Sequence, residues 1–77
     1  KGLIAFNNKK LDEILLSLEK YFDVDIQIDS KNLPQHTYTG KFRQSDGVDY
    51  ALRVLQRSIH FMYERDEDSG KVYRIYH

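Results

Sequence analysis

The side chains that most often perform acid–base or metal chemistry are present in this sequence but scattered. His36 lies in a segment of turn-forming residues, His60 follows a predicted helix, and His77 is the last residue. Metal sites need ligands spaced at i and i+4 on a helix, or close together in a loop. No two of these histidines have that spacing, and the chain has no cysteine to complete a zinc site or to act as a nucleophile. We therefore expect no metal and no cofactor.

Carboxylates occur in two groups, and both are typical of solvated surfaces. Asp23, Asp25 and Asp29 fall on the polar side of a predicted strand, where water is their expected partner. Glu64 and residues 66–68 lack the spaced oxygen ligands and the distal bidentate glutamate of a calcium loop. The chain also has no nucleophile-elbow motif and no glycine-rich phosphate loop. The sequence predicts that the chain is not an enzyme.

Tyrosine and arginine side chains near the C-terminal end form the one group with a plausible binding function. They lie on two predicted strands and are Tyr63, Arg65, Tyr73, Arg74 and Tyr76. Tyrosine and arginine anchor many protein interfaces, and aromatic rings on a sheet can also stack on RNA bases. A third interpretation is that half of them are core residues and the others line an ordinary sheet surface. The balanced charge, with twelve basic and twelve acidic residues, disfavours nucleic acid.

The length and composition predict a single domain. Seventy-seven residues form one core, and a hydrophobic share of 40% is ordinary for a folded domain. No apolar run approaches the ~18 residues of a membrane span. Because the chain begins with Lys1 rather than methionine, we expect residues 1–77 to be one domain of a longer chain. A membrane anchor could lie in the remainder of that chain.

Hydrophobic periodicity predicts seven elements in the order β-α-β-β-α-β-β, an α+β fold. The helices are marked by apolar stripes at i, i+3, i+4 and i+7 spacing, and the strands by alternation of period two or by short apolar runs. The first helical stripe is Leu11, Ile14, Leu15, Leu18 and Phe22, and the second is Val48, Ala51, Leu52, Leu55 and Ile59. We expect Leu15, Leu18, Leu52 and Leu55 to be nearly inaccessible to solvent.

Several local features carry more specific expectations. Asn8 and Asp46 have the side chains preferred at helix N-caps, and Asp49 stands four residues before Arg53, where the two can pair on one helix face. The predicted strand over residues 72–76 is an expected sheet edge, to which a partner strand could add.

The ordered set of motifs resembles the C-terminal domain of FecR-like anti-sigma factors of the Bacteroidota type. Residues 6–14 and 18–24 resemble the opening of the family's domain, and residues 38–42 are similar to its "f-t-G-x-F" strand. The start of the family's second helix resembles residues 48–52, and its last two strands resemble residues 61–64 and 72–75. Lys10 stands where the family often has proline. Gly47 occupies a helix-start position that is usually filled by a better helix former.

The resemblance implies a fold with two helices sandwiched between two small sheets, similar to the short N-terminal domain of secretins and TonB-dependent receptors. It also implies a periplasmic sensing domain of an inner-membrane protein, anchored by one transmembrane helix. In such proteins a cytoplasmic part holds a sigma factor, and the periplasmic domain receives a signal from the signalling domain of an outer-membrane TonB-dependent transporter.

Two alternative functions remain open at the level of the sequence. One is the N-terminal signalling domain of a TonB-dependent receptor or secretin, which shares the expected fold. The other is a small RNA-binding module, against which the neutral charge argues.

Overall fold

Two amphipathic helices lie between two small β-sheets in the structure, a computed structural model that describes residues 2–28, 33–68 and 70–76. The elements are, in chain order, β1 (Leu3–Lys10), α1 (Leu11–Phe22), β2 (Asp25–Ile28), β3 (Thr37–Arg43), α2 (Val48–Ser58), β4 (Met62–Arg65) and β5 (Val72–Tyr76). A short 3-10 turn over Gln44–Asp46 precedes α2. The predicted α+β order and the sandwich arrangement are confirmed. Parts of two predicted loops, residues 29–32 and Ser69, lie outside the described residues, as does His77.

The strand order of the second sheet differs from the expectation that β5 forms an edge. The first sheet is an antiparallel pair of β1 and β3, and the second has the order β2-β5-β4. The strand β5 is therefore central, parallel to β2 on one side and antiparallel to β4 on the other. The expectation of an edge at residues 72–76 is wrong, because an element near the end of a sequence can still insert between earlier strands. The edges of this sheet are β2 and β4.

The hydrophobic core joins both helices to both sheets. Helix α1 packs on β1 and β2, and α2 packs on β3. The predicted stripes are buried except for Phe22, which is partly buried, and the four leucines expected to be inaccessible are at most 1% exposed. Ile59, the last residue of the second stripe, is also buried, just beyond the end of α2. Neither described helix is long and apolar enough to cross a membrane.

The start of α1 lies further along the chain than an Asn8 cap would place it. Strand β1 continues to Lys10, and its register with β3 shifts between Phe6 and Lys9. Asn8 lies in this bulge with φ 56°, and its backbone N–H donates to Thr39 Oγ1 at 2.9 Å. The helix start is instead closed by Glu13, whose Oε1 accepts the Lys10 N–H at 3.1 Å. The prediction of an Asn8 cap is wrong, because asparagine is favoured in left-handed backbone as well as at caps.

Gly47, rather than Asp46, occupies the N-cap position of α2. Asp46 belongs to the 3-10 turn before the helix, whereas the Gly47 backbone has φ 89° and ψ 163°. This conformation is essentially restricted to glycine. The glycine that departs from the family pattern is thus required by the sharp entry into the helix.

Gly40 is covered by an aromatic ring. A Cβ atom at this position would lie 2.6 Å from the ring of Tyr38, which stacks on Phe42 with 5.8 Å between centroids. All three residues lie on one face of β3, as the alternation predicts. The glycine therefore lets an aromatic side chain approach the backbone closely, as expected for a strand glycine.

Removing a core leucine should cost much of the stability of so small a domain. We expect Leu52→Ala to lower the free energy of unfolding by about 2–5 kcal/mol, since it leaves a cavity among fully buried side chains. Urea unfolding followed by circular dichroism measures the change. The control is Leu16→Ala, because Leu16 is 56% exposed on α1, and its effect should stay within roughly 0.5 kcal/mol. Equal effects of the two substitutions would contradict the helix orientations.

A side chain of L configuration at residue 47 should strain the backbone. Space is available around Gly47, so steric contact is not the obstacle. We expect Gly47→Ala to lower the free energy of unfolding by about 1–3 kcal/mol through its φ and ψ angles alone. Chemical synthesis with D-alanine at this position is the matched control, because a D residue accepts these angles and should retain the stability. If both alanines destabilise equally, backbone strain is not the cause.

Candidate partner-binding surface

The hairpin of β4 and β5 places the five predicted partner-binding residues on two different faces. The register pairs Tyr63 with Ile75 and Arg65 with Tyr73, and these side chains point towards the helices. The residues between them, including Arg74 and Tyr76, point to the opposite, outer face. The sequence predicted that the five residues form one surface. In the structure they are divided between an inner face, towards the helices, and an outer face.

Tyr73 is a core residue with a polar end. It is only 2% exposed, and its ring lies 6.2 Å from that of Tyr63. Its hydroxyl donates to Asp49 Oδ2 at 3.3 Å, at the start of α2. A buried tyrosine usually finds such a partner for its hydroxyl. Tyr73 thus ties the central strand to α2, and a partner would meet little of its surface.

Arg65 completes a polar network around Asp49. Its Nη1 donates to Asp49 Oδ2 at 3.5 Å, and both side chains are about half exposed. The spacing along the helix predicted a pair of Asp49 with Arg53. In the structure Asp49 pairs instead with Arg65 of β4. An exposed pair of this kind contributes little to stability. Its effect is to hold the arginine head beside the tyrosine hydroxyl.

The network shifts the protonation equilibria of two side chains. Burial raises the pKa of the Tyr73 hydroxyl, against the opposing effect of its hydrogen bond with Arg65, and the charge of Asp49 adds to the increase. The hydrogen bond with Tyr73, followed by the charge of Asp49, raises the pKa of the Arg65 guanidinium. Both groups therefore hold their protons more firmly in the folded chain.

The outer face of the second sheet carries the exposed part of the predicted surface. Arg74 Nη1 lies 3.9 Å from Glu64 Oε1, and the Tyr76 hydroxyl lies 3.5 Å from Glu64 Oε2. Met62 adds a half-exposed apolar side chain opposite Tyr76. This outer face, defined by Met62, Glu64, Arg74 and Tyr76, combines apolar, aromatic and charged groups over neighbouring strands.

The remaining candidates for chemistry do not converge. His36 and His60 are exposed, and no group of three or more histidine, aspartate or glutamate side chains among the described residues could hold a metal ion. Sequence reasoning missed two other features, the exposed Leu16 on α1 and the contact of Glu19 with β2. Leu16 could have been noticed as a leucine outside the apolar stripe, whereas the Glu19 contact depends on tertiary structure.

The tyrosine hydroxyl should make stability depend on pH in the alkaline range. Because the pKa of Tyr73 is raised in the folded chain, its stabilising effect is complete below the unfolded value of about 10 and is lost as the pH rises through the folded value. We expect the difference in unfolding free energy between the wild type and Tyr73→Phe to be constant at lower pH and to shrink as the pH rises above about 10. Urea unfolding of both proteins measures it, with Tyr50→Phe on the exposed face of α2 as the control. A difference that is constant with pH would contradict the role of the hydroxyl.

Comparison with known proteins identifies the family. The model of the family described as FecR, C-terminal, matches residues 3–73. No protein of curated function matches the chain. Two crystal structures of a candidate anti-sigma factor from Parabacteroides distasonis are similar, with TM-scores of 0.80 and 0.78, each at 20% identity and covering 97% of this chain.

The chain spans about a third of the length of those two structures, 34% and 33% respectively. At this identity the structural likeness shows the fold, and the family is shown by the match over residues 3–73. The chain therefore belongs to the FecR C-terminal family.

Proposed function

We propose that this domain lies in the periplasm and receives a signal from an outer-membrane TonB-dependent transporter. The observation that carries the proposal is the family match over nearly the whole chain. Members of this type are membrane-anchored, with their C-terminal domains in the periplasm. In this proposal, another part of the protein crosses the inner membrane and holds a sigma factor in the cytoplasm.

The signalling domain of the transporter is the proposed partner, and the outer face is the proposed contact. Tyrosine, methionine and arginine are enriched at protein interfaces, and all three occur on this face. The exposed parts of Tyr63 and Arg65 extend the contact around β4, and Tyr73 supports it from beneath.

The polar contacts of the outer face support a reversible interaction. Glu64 faces both Arg74 and Tyr76 at distances of 3.5–3.9 Å, which is long for strong hydrogen bonds. A partner carboxylate could take the place of Glu64 beside Arg74. Charged groups at the rim of an interface mainly set the association rate and the choice of partner.

Reversing the charge of Arg74 should weaken binding of the transporter domain. We expect Arg74→Glu to raise the Kd roughly tenfold, through loss of a central contact and repulsion of a partner carboxylate. The measurement is a titration of the 77-residue chain with the transporter's signalling domain, followed by amide chemical shifts. The control is Arg43→Glu, the same change at an exposed strand position of the other sheet.

Two results would contradict the proposal in different ways. Absence of any shift at saturating concentrations would show that the transporter domain is not the partner. Shifts confined to other surfaces, or equal weakening by both substitutions, would show that the outer face is not the contact. The compartment is tested separately by fusing alkaline phosphatase to the C terminus of the full-length protein, since that enzyme is active only outside the cytoplasm.

A further inference from the structure

A second surface has the features of a binding groove. It lies along the outer edge of β2, the edge that faces away from β5. The groove lies between α1 and β2 and has a volume of about 270 Å³. Leu15 and Ile26 form its floor and are buried, whereas Leu16 and Ile28 form its walls and are 56% and 44% exposed. Two large aliphatic side chains are thus exposed at one groove, and adjoining apolar surface of this kind is a feature of interaction sites.

The backbone along this groove is an open sheet edge. The Asp25 N–H donates to the Lys71 carbonyl at 2.8 Å, towards β5. In a parallel ladder alternate residues of a strand bond to the same neighbour, so Ile26 and Ile28 direct their N–H and C=O groups away from β5. Such a row of backbone groups is a template for another strand.

Glu19 occupies part of this edge in the free chain. Its Oε2 accepts the Ile26 N–H at 2.7 Å, although the two residues belong to different elements. The contact satisfies an edge donor that would otherwise be open to pairing, and a side chain can be displaced more easily than a strand. An incoming carbonyl could replace the carboxylate at the Ile26 N–H, if a cation then takes up the charge of Glu19.

The charges around the groove indicate what kind of segment fits it. Its other polar lining residues in the part of the chain that the structure describes are Asp12 and Glu13, so the described polar lining is acidic. A second copy of this chain would bring like charges together at the same edge, which disfavours self-association. A segment with lysine or arginine beside its apolar residues would be attracted instead.

From these features we infer that the groove between α1 and β2 binds an extended segment of a partner protein, whose face towards α1 carries apolar side chains together with lysine or arginine. The segment adds to the open edge of β2, its apolar side chains contact Leu16 and Ile28, and its cations pair with the carboxylates at the rim. The inference goes beyond the proposed function, because it specifies the chemistry of the segment and holds whichever protein supplies it.

The test uses a short synthetic peptide of the repeat Val-Ser-Lys-Ser, which places valine and lysine on the same face of a strand, titrated into the 77-residue chain and followed by amide chemical shifts. We expect shifts along α1 from Asp12 to Glu19 and along β2. Leu16→Ser should weaken binding roughly tenfold, because it removes an apolar contact. The matched control is Tyr50→Ser, which removes a similarly exposed apolar side chain from the other helix and should leave binding unchanged.

Two further arms separate strand addition from simple attraction. The same peptide with alternate backbone nitrogens methylated cannot donate to a sheet edge, and the same repeat with glutamate in place of lysine carries the wrong charge. We expect neither to bind. Ile28→Pro, which removes an outward N–H while leaving the bonds to β5, should also abolish binding of the lysine peptide.

Equal binding by the methylated or glutamate peptide would overturn the inference, as would shifts centred on the other sheet edge at β4. Because the probe is synthetic, a negative result here leaves the proposed transporter contact untouched.

Discussion

Burial of the two helical stripes is the interaction on which the rest of this structure depends. A two-stranded and a three-stranded sheet of such short strands are marginal in isolation, and each needs an apolar surface to pack against. The stripes on α1 and α2 provide that surface on both sides, with Leu18, Leu52 and Leu55 completely inaccessible. No residue described by the structure is both polar or charged and buried, so polar groups act only around the margin of this core.

That arrangement divides the molecule into a fixed interior and adaptable margins. The margins contain the network of Asp49, Arg65 and Tyr73 on one side and the groove beside β2 on the other. In both places an acidic side chain of a helix contacts a strand residue, Asp49 with Tyr73 and Glu19 with Ile26. Each carboxylate fixes the position of a helix relative to the second sheet, and each remains accessible enough to respond to a charged partner.

The elements and the core were predictable from the sequence because both follow from local periodicity. The stripes of α1 and α2, the alternation in β3 and the turn before β5 are each contained in about ten residues. The resemblance to FecR-like domains could be seen in the sequence for the same reason, because the motifs that carry it are also local. Residues whose role depends on backbone conformation were harder to predict. Asparagine is favoured both at helix caps and in bulges, and only the register of β1 with β3 shows that Asn8 lies in the bulge.

Pairing over long sequence distances could not be predicted in this way. Whether β5 lies at an edge or at the centre depends on β2, which is distant along the chain and pairs with it in parallel. That placement turned Tyr73 from an expected contact residue into part of the core. It also moved the open edge to β2, where the sequence shows only a short alternating strand.

The central position of β5 has a consequence for how the protein is made. The chain emerges from its N-terminal end, so β2 and β4 both appear before the strand that joins them, and the second sheet cannot assemble progressively from its N-terminal side. Until β5 is available, Ile26 and the inner face of β4 have no strand between them, and the nascent chain presents apolar surface to chaperones. The domain should therefore fold late and in one step, because a chain that ends before residue 72 lacks the strand that completes the second sheet.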